Sequence, residues 1–191
     1  MSDLEVQIIT LSPDDEGAIE QVAALLIEGF KAHAPHAWPN MAAALAEVRE
    51  SLGEDRISRI AVDNKGEIVG WIGGLSHYDG NVWEIHPLVV KPSRQRTGIG
   101  RQLVCDFEDL VRERGGLTIW VGTDDENAMT TLAGVDLYPN VLDHLAQIRN
   151  LRRHPYEFYQ KLGFAIAGVM PDANGRGKPD IFLAKRVVPD C

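Results

Sequence analysis

The first part of the chain alternates a short strand pattern with helical patterns. Residues Val6–Thr10 alternate apolar and polar positions, which predicts a half-buried strand. Ser12 then predicts the hydroxyl cap of a helix with Pro13 in its first turn. The apolar positions of this helix recur at helical spacing, at Ile19, Val22, Leu26 and Phe30.

A second helix is predicted to begin at Asn40 and to be ended by Gly53. Its expected buried stripe consists of Met41, Leu45, Val48 and Leu52. The intervening segment Lys31–Pro39 contains two prolines, two histidines and Trp38. We interpret it as a loop with an exposed aromatic side chain, a kind of segment that often borders a binding site.

Three strand patterns separated by turn signals follow. Arg59–Val62 and Ile68–Ile72 flank Asp63–Gly66, whose composition is that of a hairpin turn. A second turn, Tyr78–Asn81, leads into Val82–Val90. These segments predict an antiparallel meander.

The pattern then changes to a helix over Gly98–Arg114 and a strand at Leu117–Val121. A strand, a helix and a strand in this order form a parallel βαβ unit. The sheet is therefore predicted to be mixed, and a change of pairing near Val82–Val90 is where α/β sheets open a crevice for ligands. The buried face of this third helix is expected to contain Ile99, Leu103, Phe107, Leu110 and Val111.

The last part of the chain combines a long connection with short elements. The connection begins at Gly122, and helices are predicted at Val141–Asn150 and Pro155–Leu162 before two final strands. The sequence shows no repeat or linker-like stretch, so we expect one α/β (α+β) domain over residues 1–191.

Composition and charge narrow the possible functions. With 45% hydrophobic and 25% charged residues, the chain has an ordinary globular profile. Its net charge of −9 disfavours nucleic-acid binding, and its longest apolar stretches are too short to cross a membrane. The two cysteines, Cys105 and Cys191, predict no disulfide framework and hence a cytoplasmic location. Cys105 is expected to be a small packing residue of the third helix.

The start of the third helix predicts an anion site. Glycines there let a ligand approach the backbone, and the first N–H groups of a helix point toward an anion. From Lys91 to Arg101 the chain has four basic residues and no acidic one, against its overall charge. We infer a phosphorylated ligand, although a tight turn with solvated arginines is the alternative. Neither the dinucleotide fingerprint nor the P-loop matches, because Leu103 replaces the third glycine and Arg101-Gln102 follows Gly100.

Four segments carry a family resemblance. Gln95-x-x-Gly98-x-Gly100 resembles the acetyl-coenzyme A motif of the GNAT N-acetyltransferases. The resemblance spans essentially the whole chain and is nearest to aminoglycoside 6′-N-acetyltransferases. Its segments are Trp83–Val90, Gly122–Asp125, His154–Gly163, and Asn174–Gly175 with Lys178–Asp180. It implies the GNAT fold, with an antiparallel N-terminal meander and a parallel βαβ unit that binds acetyl-coenzyme A, and it implies a homodimer.

The resemblance also assigns the residues that bind acetyl-coenzyme A. The pyrophosphate is expected on the amides of Gln95, Arg96, Thr97, Gly98, Ile99, Gly100 and Arg101. The pantetheine arm is expected along Leu88, Val89 and Val90, with the backbone N–H of Leu88 facing the thioester carbonyl. Tyr159 is expected near the departing sulfur as a general acid, although its neighbours Tyr156 and Phe158 make an aromatic core cluster the alternative.

The resemblance also implies that Glu84, at the matching position on the strand beside the thioester, is the catalytic carboxylate. A primary amine with a pKa near 8 to 9 is only roughly 1–10% neutral at pH 7, so acetyl transfer requires loss of a proton. An ordinary carboxyl is a weak acceptor from an ammonium group. Glu84 is therefore expected to hold the amine and to relay its proton through water, rather than to abstract it directly. An exposed strand carboxylate without a catalytic role is the alternative.

The acceptor is predicted to be a polycationic amine, and the resemblance implies direct transfer of acetyl to the 6′-amine of an aminoglycoside. Carboxylates in the long connection would suit several ammonium groups, with His86 at the edge of the pocket and an aromatic wall opposite. The expected acidic residues are Asp124, Asp125 and Asp136, and the expected aromatic residues are Phe30 and Trp38. A solvated acidic loop is the alternative. His33-x-x-His36 has no further ligand at a recognised metal spacing, so no metal is expected.

Two other functions stay open. One keeps the chemistry and changes the acceptor to a polyamine, a small metabolite or a protein amine. The other is a non-catalytic module that binds acyl-coenzyme A or sequesters the aminoglycoside.

Overall fold

The computed structural model describes residues 6–32 and 34–187, so His33 and Cys191 lie outside the described residues. The chain divides into two compact units, Met1–Leu117 and Thr118–Cys191, and its organisation as one domain stays a prediction. The strands are β1 (Val6–Thr10), β2 (Arg56–Asp63), β3 (Ile68–His77), β4 (Val82–Val90), β5 (Thr118–Asp124), β6 (Ala165–Met170) and β7 (Asp180–Arg186). The helices are α1 (Glu16–Phe30), α2 (Met41–Glu50), α3 (Ile99–Glu113), α4 (Val141–Ala146) and α5 (Tyr156–Gln160), with one 3₁₀ turn at Pro92–Arg94.

The first unit contains the predicted meander. Strands β1, β2, β3 and β4 pair with their chain neighbours in antiparallel register. Helices α1 and α2 pack on each other, and their apolar faces join the strands in one core. Trp71 of β3 is completely buried there, and its indole N–H donates to Ser58 Oγ at 2.9 Å. This core fixes β4, the strand that carries Glu84.

Strand β3 is longer than predicted because it continues through Gly73 and Gly74 to His77. Glycine weakens a strand by propensity, which is why the sequence pattern ended at Ile72. In the fold both glycines are needed for close approach. A Cβ at Gly73 would lie 2.3 Å from the His86 carbonyl oxygen, and one at Gly74 would lie 2.2 Å from the Phe107 ring.

The start of α1 corrects the predicted cap. Asp15, not Ser12, is the N-cap, and its carboxylate accepts from the Ala18 N–H at 2.9 Å. The Ser12 hydroxyl instead accepts from the Asp14 N–H at 3.2 Å, in the turn before the helix. Both residue types favour caps, and the one at the beginning of the apolar periodicity is used.

The prediction of the buried stripe of α2 was wrong at its first residue, Met41. Met41 is exposed, whereas Ala44 and Val48 are fully buried. The helix ends at Glu50, three residues before Gly53. An alanine gives little signal in a hydrophobic pattern, which explains why Ala44 was missed.

Helix α3 confirms the predicted element over Ile99–Glu113. Its core face also contains Val104, while Leu110 is only half-buried. Cys105 is exposed, so its prediction as a packing residue was wrong. It lies one position beyond the buried Val104, where the helix turns toward solvent.

The second unit is an antiparallel sheet in which β7 pairs with both β5 and β6. Helix α4 ends at Ala146, well before the predicted Asn150. The chain turns back there, because Leu151 and Arg152 donate to the Met129 carbonyl and Asn150 bridges to Thr130. In residues 6–32 and 34–187, no helix has the length and apolar character needed to span a membrane.

Candidate active site

Strand β4 presents two faces of opposite character. Before its bulge the strand buries Trp83 and Ile85 on one face, and the partly exposed Glu84 lies on the other face. The register with β3 shifts between Ile72 and Gly74, so that β4 bulges around His86 and a cis-proline. The bulge re-aims the side chains on this face. Of the predicted site residues on this strand, Glu84 and His86 lie on one face, with His86 beside Glu47 of α2. Leu88 pairs with Ile72 beyond the bulge, so its side chain lies on the opposite face and only its main chain can serve the same site.

The carboxylate of Glu84 meets two histidines. Oε2 lies 2.9 Å from Nε2 of His77, and Oε1 lies 3.9 Å from Nδ1 of His86. The Glu84 side chain is 19% exposed, and the two histidine side chains are 38% and 47% exposed. Glu84 is therefore held on one side and accessible on the other.

A second carboxylate, Glu47 of α2, lies on the far side of His86. Its Oε1 is 3.7 Å from His86 Nε2, and its Oε2 accepts from the Trp38 indole N–H at 3.3 Å. Trp38 is half-buried, not exposed as predicted, and it meets Phe30 edge to face at 4.7 Å between ring centroids. The structure thus brings the predicted Phe30, Trp38 and His86 together.

Glu47 and His77 were missed by sequence reasoning. The signal for His77 was available, because a turn at Tyr78–Asn81 pairs His77 with Val82 and places it diagonally to Glu84. Glu47 had no such signal, since its position depends on how α2 packs. Beside this cluster lies a cavity of about 130 Å³ lined by Glu47, Glu50, Ser51, Arg56, Gly74, Leu75 and His86.

The start of α3 has the geometry of an anion site. Gly98 is the N-cap with a left-handed φ of 94°, and no side chain caps the helix. Arg96 also has a positive φ, of 62°, and the loop is held by the Thr97 hydroxyl, which donates to the Arg94 carbonyl at 2.7 Å. The first turn contains no acidic residue. Its N–H groups and positive dipole end are therefore available to a diphosphate.

Only part of the predicted binding segment can use side chains. Val89 and Ile99 are buried in the core, so their main-chain groups alone can face a ligand. We call the segment Gln95–Arg101 the anion cradle. Within it, Arg96 and Arg101 are exposed, and the Gln95 side chain donates to the Val90 carbonyl at 3.3 Å. These features fit the diphosphate of acetyl-coenzyme A, because main-chain N–H groups can donate to it and two arginines add positive charge.

In the second unit, Asp124 and Asp125 have different roles. Asp125 is completely buried, and its two oxygens accept from the N–H groups of Met129 and Thr130 at 2.7 and 2.8 Å. This carboxylate shapes the loop, in contrast with the acceptor contact predicted for it. Asp124 is exposed at the end of β5 and accepts from the Asn174 side chain.

His154 connects this loop to α5. Tyr156 N–H donates to Nδ1 at 3.3 Å, so the neutral ring carries its proton on Nε2, which donates to the Asp124 carbonyl at 3.1 Å. Asn150 exchanges two further hydrogen bonds with the His154 backbone. Burial lowers the pKa of His154, despite the opposing effect of Asp124 and Asp125. Its role is structural.

Tyr159 and Asp136 also lie in this unit. Tyr159 is buried, with Phe158 and Phe164 edge to face at 5.0 and 5.4 Å, and burial raises the pKa of its phenol. Asp136 is exposed and accepts from the Tyr138 N–H at 3.1 Å. Within the part of the chain that the structure describes, no three metal-ligating side chains cluster.

The comparisons with known proteins identify the family. The model of the acetyltransferase (GNAT) family matches residues 19–131. The chain belongs to the GNAT acetyltransferase family. Membership confirms the predicted acetyltransferase activity and acetyl-coenzyme A as the co-substrate of this GNAT chain.

Solved structures give nearer likenesses. An aminoglycoside 6′-N-acetyltransferase complexed with coenzyme A and the aminoglycoside 6′-N-acetyltransferase from Enterococcus faecium are each 42% identical to this GNAT chain, with TM-scores of 0.89 and 0.86. An aminoglycoside 6′-acetyltransferase type Ii is 37% identical, with a TM-score of 0.75. Each comparison covers 97% of this chain and 99% of the other. The predicted mixed α/β GNAT fold is thus confirmed. No curated protein sequence matches the chain.

Proposed function

We propose that this GNAT chain is an aminoglycoside 6′-N-acetyltransferase, which moves acetyl from acetyl-coenzyme A to the 6′-amine of the antibiotic and so confers resistance. The observation that carries the proposal is the 42% identity to two proteins of that name over 97% of this chain and 99% of theirs. Transfer is direct, in a ternary complex without a covalent enzyme intermediate.

The segment Gln95–Arg101 holds the diphosphate of the co-substrate. The main-chain amides at the start of α3 supply the contacts, and Arg96 and Arg101 add positive charge beside them. The pantetheine arm follows the backbone of Leu88, Val89 and Val90 on β4. The N–H of Leu88 polarises the thioester carbonyl, a task that requires no particular side chain.

Glu84 holds the ammonium group of the acceptor and passes its proton to water. The Oε1 atom of this carboxylate accepts no hydrogen bond from any described residue. Tyr159 is proposed as the proton donor to the departing thiolate. A phenol is protonated at neutral pH, as a donor must be. Burial raises the pKa of Tyr159, so transfer of this proton has to accompany cleavage of the bond to sulfur.

A polycationic acceptor fits the charges of this face. Within the described residues, histidines are the ion-pair partners of Glu84 and Glu47, and no Lys or Arg lies within ion-pair distance of either carboxylate. Their negative charge therefore remains available to ammonium groups. Phe30 and Trp38 supply an apolar wall, and Asp124 and Asp136 are proposed as further acceptor contacts.

The test uses two aminoglycosides that differ at one position, one with a 6′-amine and one with a 6′-hydroxyl. Each is incubated with the enzyme and acetyl-coenzyme A, and the products are analysed by mass spectrometry with fragmentation. We expect one added acetyl group on the 6′ nitrogen of the first compound and little product from the second. Equal rates with simple diamines would contradict the aminoglycoside assignment. Saturable binding with no acetylated product would indicate a non-catalytic module.

The predicted homodimer and cytoplasmic location belong to the same proposal. The resemblance supports the dimer, and cysteine usage supports the location. Sedimentation at micromolar concentration should give a species of twice the 21.1 kDa chain mass. A species of the chain mass alone would contradict the dimer.

A further inference from the structure

The hairpin of β3 and β4 places His77 beside Glu84. Across the turn at Tyr78–Asn81, His77 pairs with Val82 and Leu75 pairs with Glu84. His77 and Glu84 are therefore diagonal neighbours on one face, a spacing within reach of long side chains. Short backbone hydrogen bonds close the turn, from Gly80 and Asn81 to the carbonyls of His77 and Tyr78 at 3.1 Å. The hairpin thus fixes the backbone of His77 at a site from which its imidazole reaches Glu84.

His77 is close to only one of the two carboxylate oxygens of Glu84. His77 Nε2 lies 2.9 Å from Glu84 Oε2, whereas His86 Nδ1 is 3.9 Å from Oε1, beyond hydrogen-bond distance. Among the described residues, His77 is the one side chain that donates a hydrogen bond to this carboxylate. Oε2 therefore accepts a hydrogen bond from His77, whereas Oε1 lies on the side of His86 and accepts none from a described residue.

Such a contact matters because a glutamate on a strand face rotates about three side-chain bonds. An acceptor amine has to meet the carboxylate in one orientation, and a misplacement of about 1 Å costs roughly a hundredfold in rate. A hydrogen bond made before the substrate arrives reduces the ordering that binding must supply. His86 does not provide it, since its two carboxylate distances are 3.7 and 3.9 Å.

We propose that His77 is a positioning residue for acetyl transfer, which anchors Oε2 of Glu84 so that Oε1 faces the acceptor nitrogen. The inference rests on the proposed function, because it assigns Glu84 to the acceptor amine. His77 acts through Glu84 and does not touch the co-substrate. It should therefore affect steps that depend on the acceptor and leave acetyl-coenzyme A binding unchanged.

The test compares His77→Leu with His77→Gln. Leucine removes the donor, whereas the glutamine amide donates a hydrogen bond from nearly the same place. We expect His77→Leu to lower kcat/KM for the aminoglycoside by at least about tenfold, the effect of losing a hydrogen bond to a charged group. KM for acetyl-coenzyme A should stay within about twofold, and His77→Gln should recover most of the loss. The control is Tyr78→Leu, the same replacement at the next side chain, which is 79% exposed.

A double-mutant cycle separates positioning from a structural effect. In a Glu84→Ala background, His77→Leu should cost nothing further, because the group it positions is gone. Equal losses in both backgrounds would overturn the proposal, as would equal losses in His77→Leu and His77→Gln or an unchanged His77→Leu enzyme. Circular dichroism melting of each variant shows whether it is folded. Absence of acetylated product with the unmodified chain would overturn the proposed function and this inference together, whereas normal turnover with an unchanged His77→Leu variant would overturn this inference alone.

Discussion

Glu84 and Glu47 differ in how their carboxylates are held. Glu84 is anchored by the imidazole of His77, and Glu47 is anchored by the indole of Trp38 at 3.3 Å. Neither donor neutralises the carboxylate permanently, in contrast to Asp106, which forms a two-bond pair with Arg59 at 2.7 and 2.9 Å. A carboxylate oriented by hydrogen bonds keeps its charge for a cationic ligand.

Glu84→Gln tests the role of that charge. The amide keeps the shape of the side chain but removes its negative charge and its capacity to accept a proton. We expect kcat/KM for the aminoglycoside to fall about a hundredfold, the lower end of general acid–base effects, with KM for acetyl-coenzyme A nearly unchanged. The measurement is initial-rate kinetics of thiol release. Glu20→Gln, at an exposed position of α1, is the matched control. A Glu84→Gln enzyme as active as this control would contradict the assignment.

At the scale of elements, each end of α3 has a glycine with a left-handed backbone conformation. Gly98 precedes the helix with φ 94° and Gly115 follows it with φ 80°. A Cβ on either glycine would have no atom within 4 Å, so alanine at either site meets only backbone strain. The two glycines therefore differ in location, since only Gly98 adjoins the anion cradle.

Gly98→Ala and Gly115→Ala are expected to lower the free energy of unfolding by a similar amount, roughly 1–2 kcal/mol each, because alanine disfavours the left-handed region. Only Gly98→Ala should weaken acetyl-coenzyme A binding, by about fivefold if roughly 1 kcal/mol of strain is released when the loop relaxes. Denaturant unfolding and titration calorimetry provide the two measurements. Equal affinities in both variants would show that the cradle does not use this turn.

Local sequence patterns predicted which helices and strands exist, but not the residues at which several of them begin and end. The meander, α3 and its glycine start followed from periodicity and turn residues. The extension of β3 through Gly73 and the burial of Ala44 depend on which element lies opposite, and no local pattern contains that. For the same reason, no local pattern indicated Glu47, whose contact with His86 depends on how α2 packs. The roles predicted for His86 and Trp38 as site residues stay predictions.

At the scale of the whole molecule, one buried imidazole links stability to pH. His154 is 1% exposed, and its neutral form makes a hydrogen bond with each ring nitrogen. Protonation would remove the acceptor at Nδ1 and place a charge in the interior. Burial accordingly lowers the pKa of His154 below its ordinary value of 6.5.

The sign of the effect follows from the lowered pKa. The unfolded chain binds this proton more readily than the folded chain, so the contribution is complete above pH 6.5 and is lost as pH falls toward the folded-state pKa. The loss amounts to at most about 1.4 kcal/mol per pH unit in that window. Thermal melts from pH 7.5 downward should show it, and proton NMR of the histidine ring in the folded state should give a pKa below 6.5. A folded-state pKa above 6.5 would contradict the prediction.

The anion site at the start of α3 offers a ligand main-chain N–H groups, which every amino acid except proline has. An acetyltransferase that binds its co-substrate in this way would tolerate wide variation in the side chains that flank it. An inhibitor aimed at those flanking side chains would be easy to escape by mutation. One that mimics the diphosphate itself would present the enzyme with contacts that substitution can hardly change.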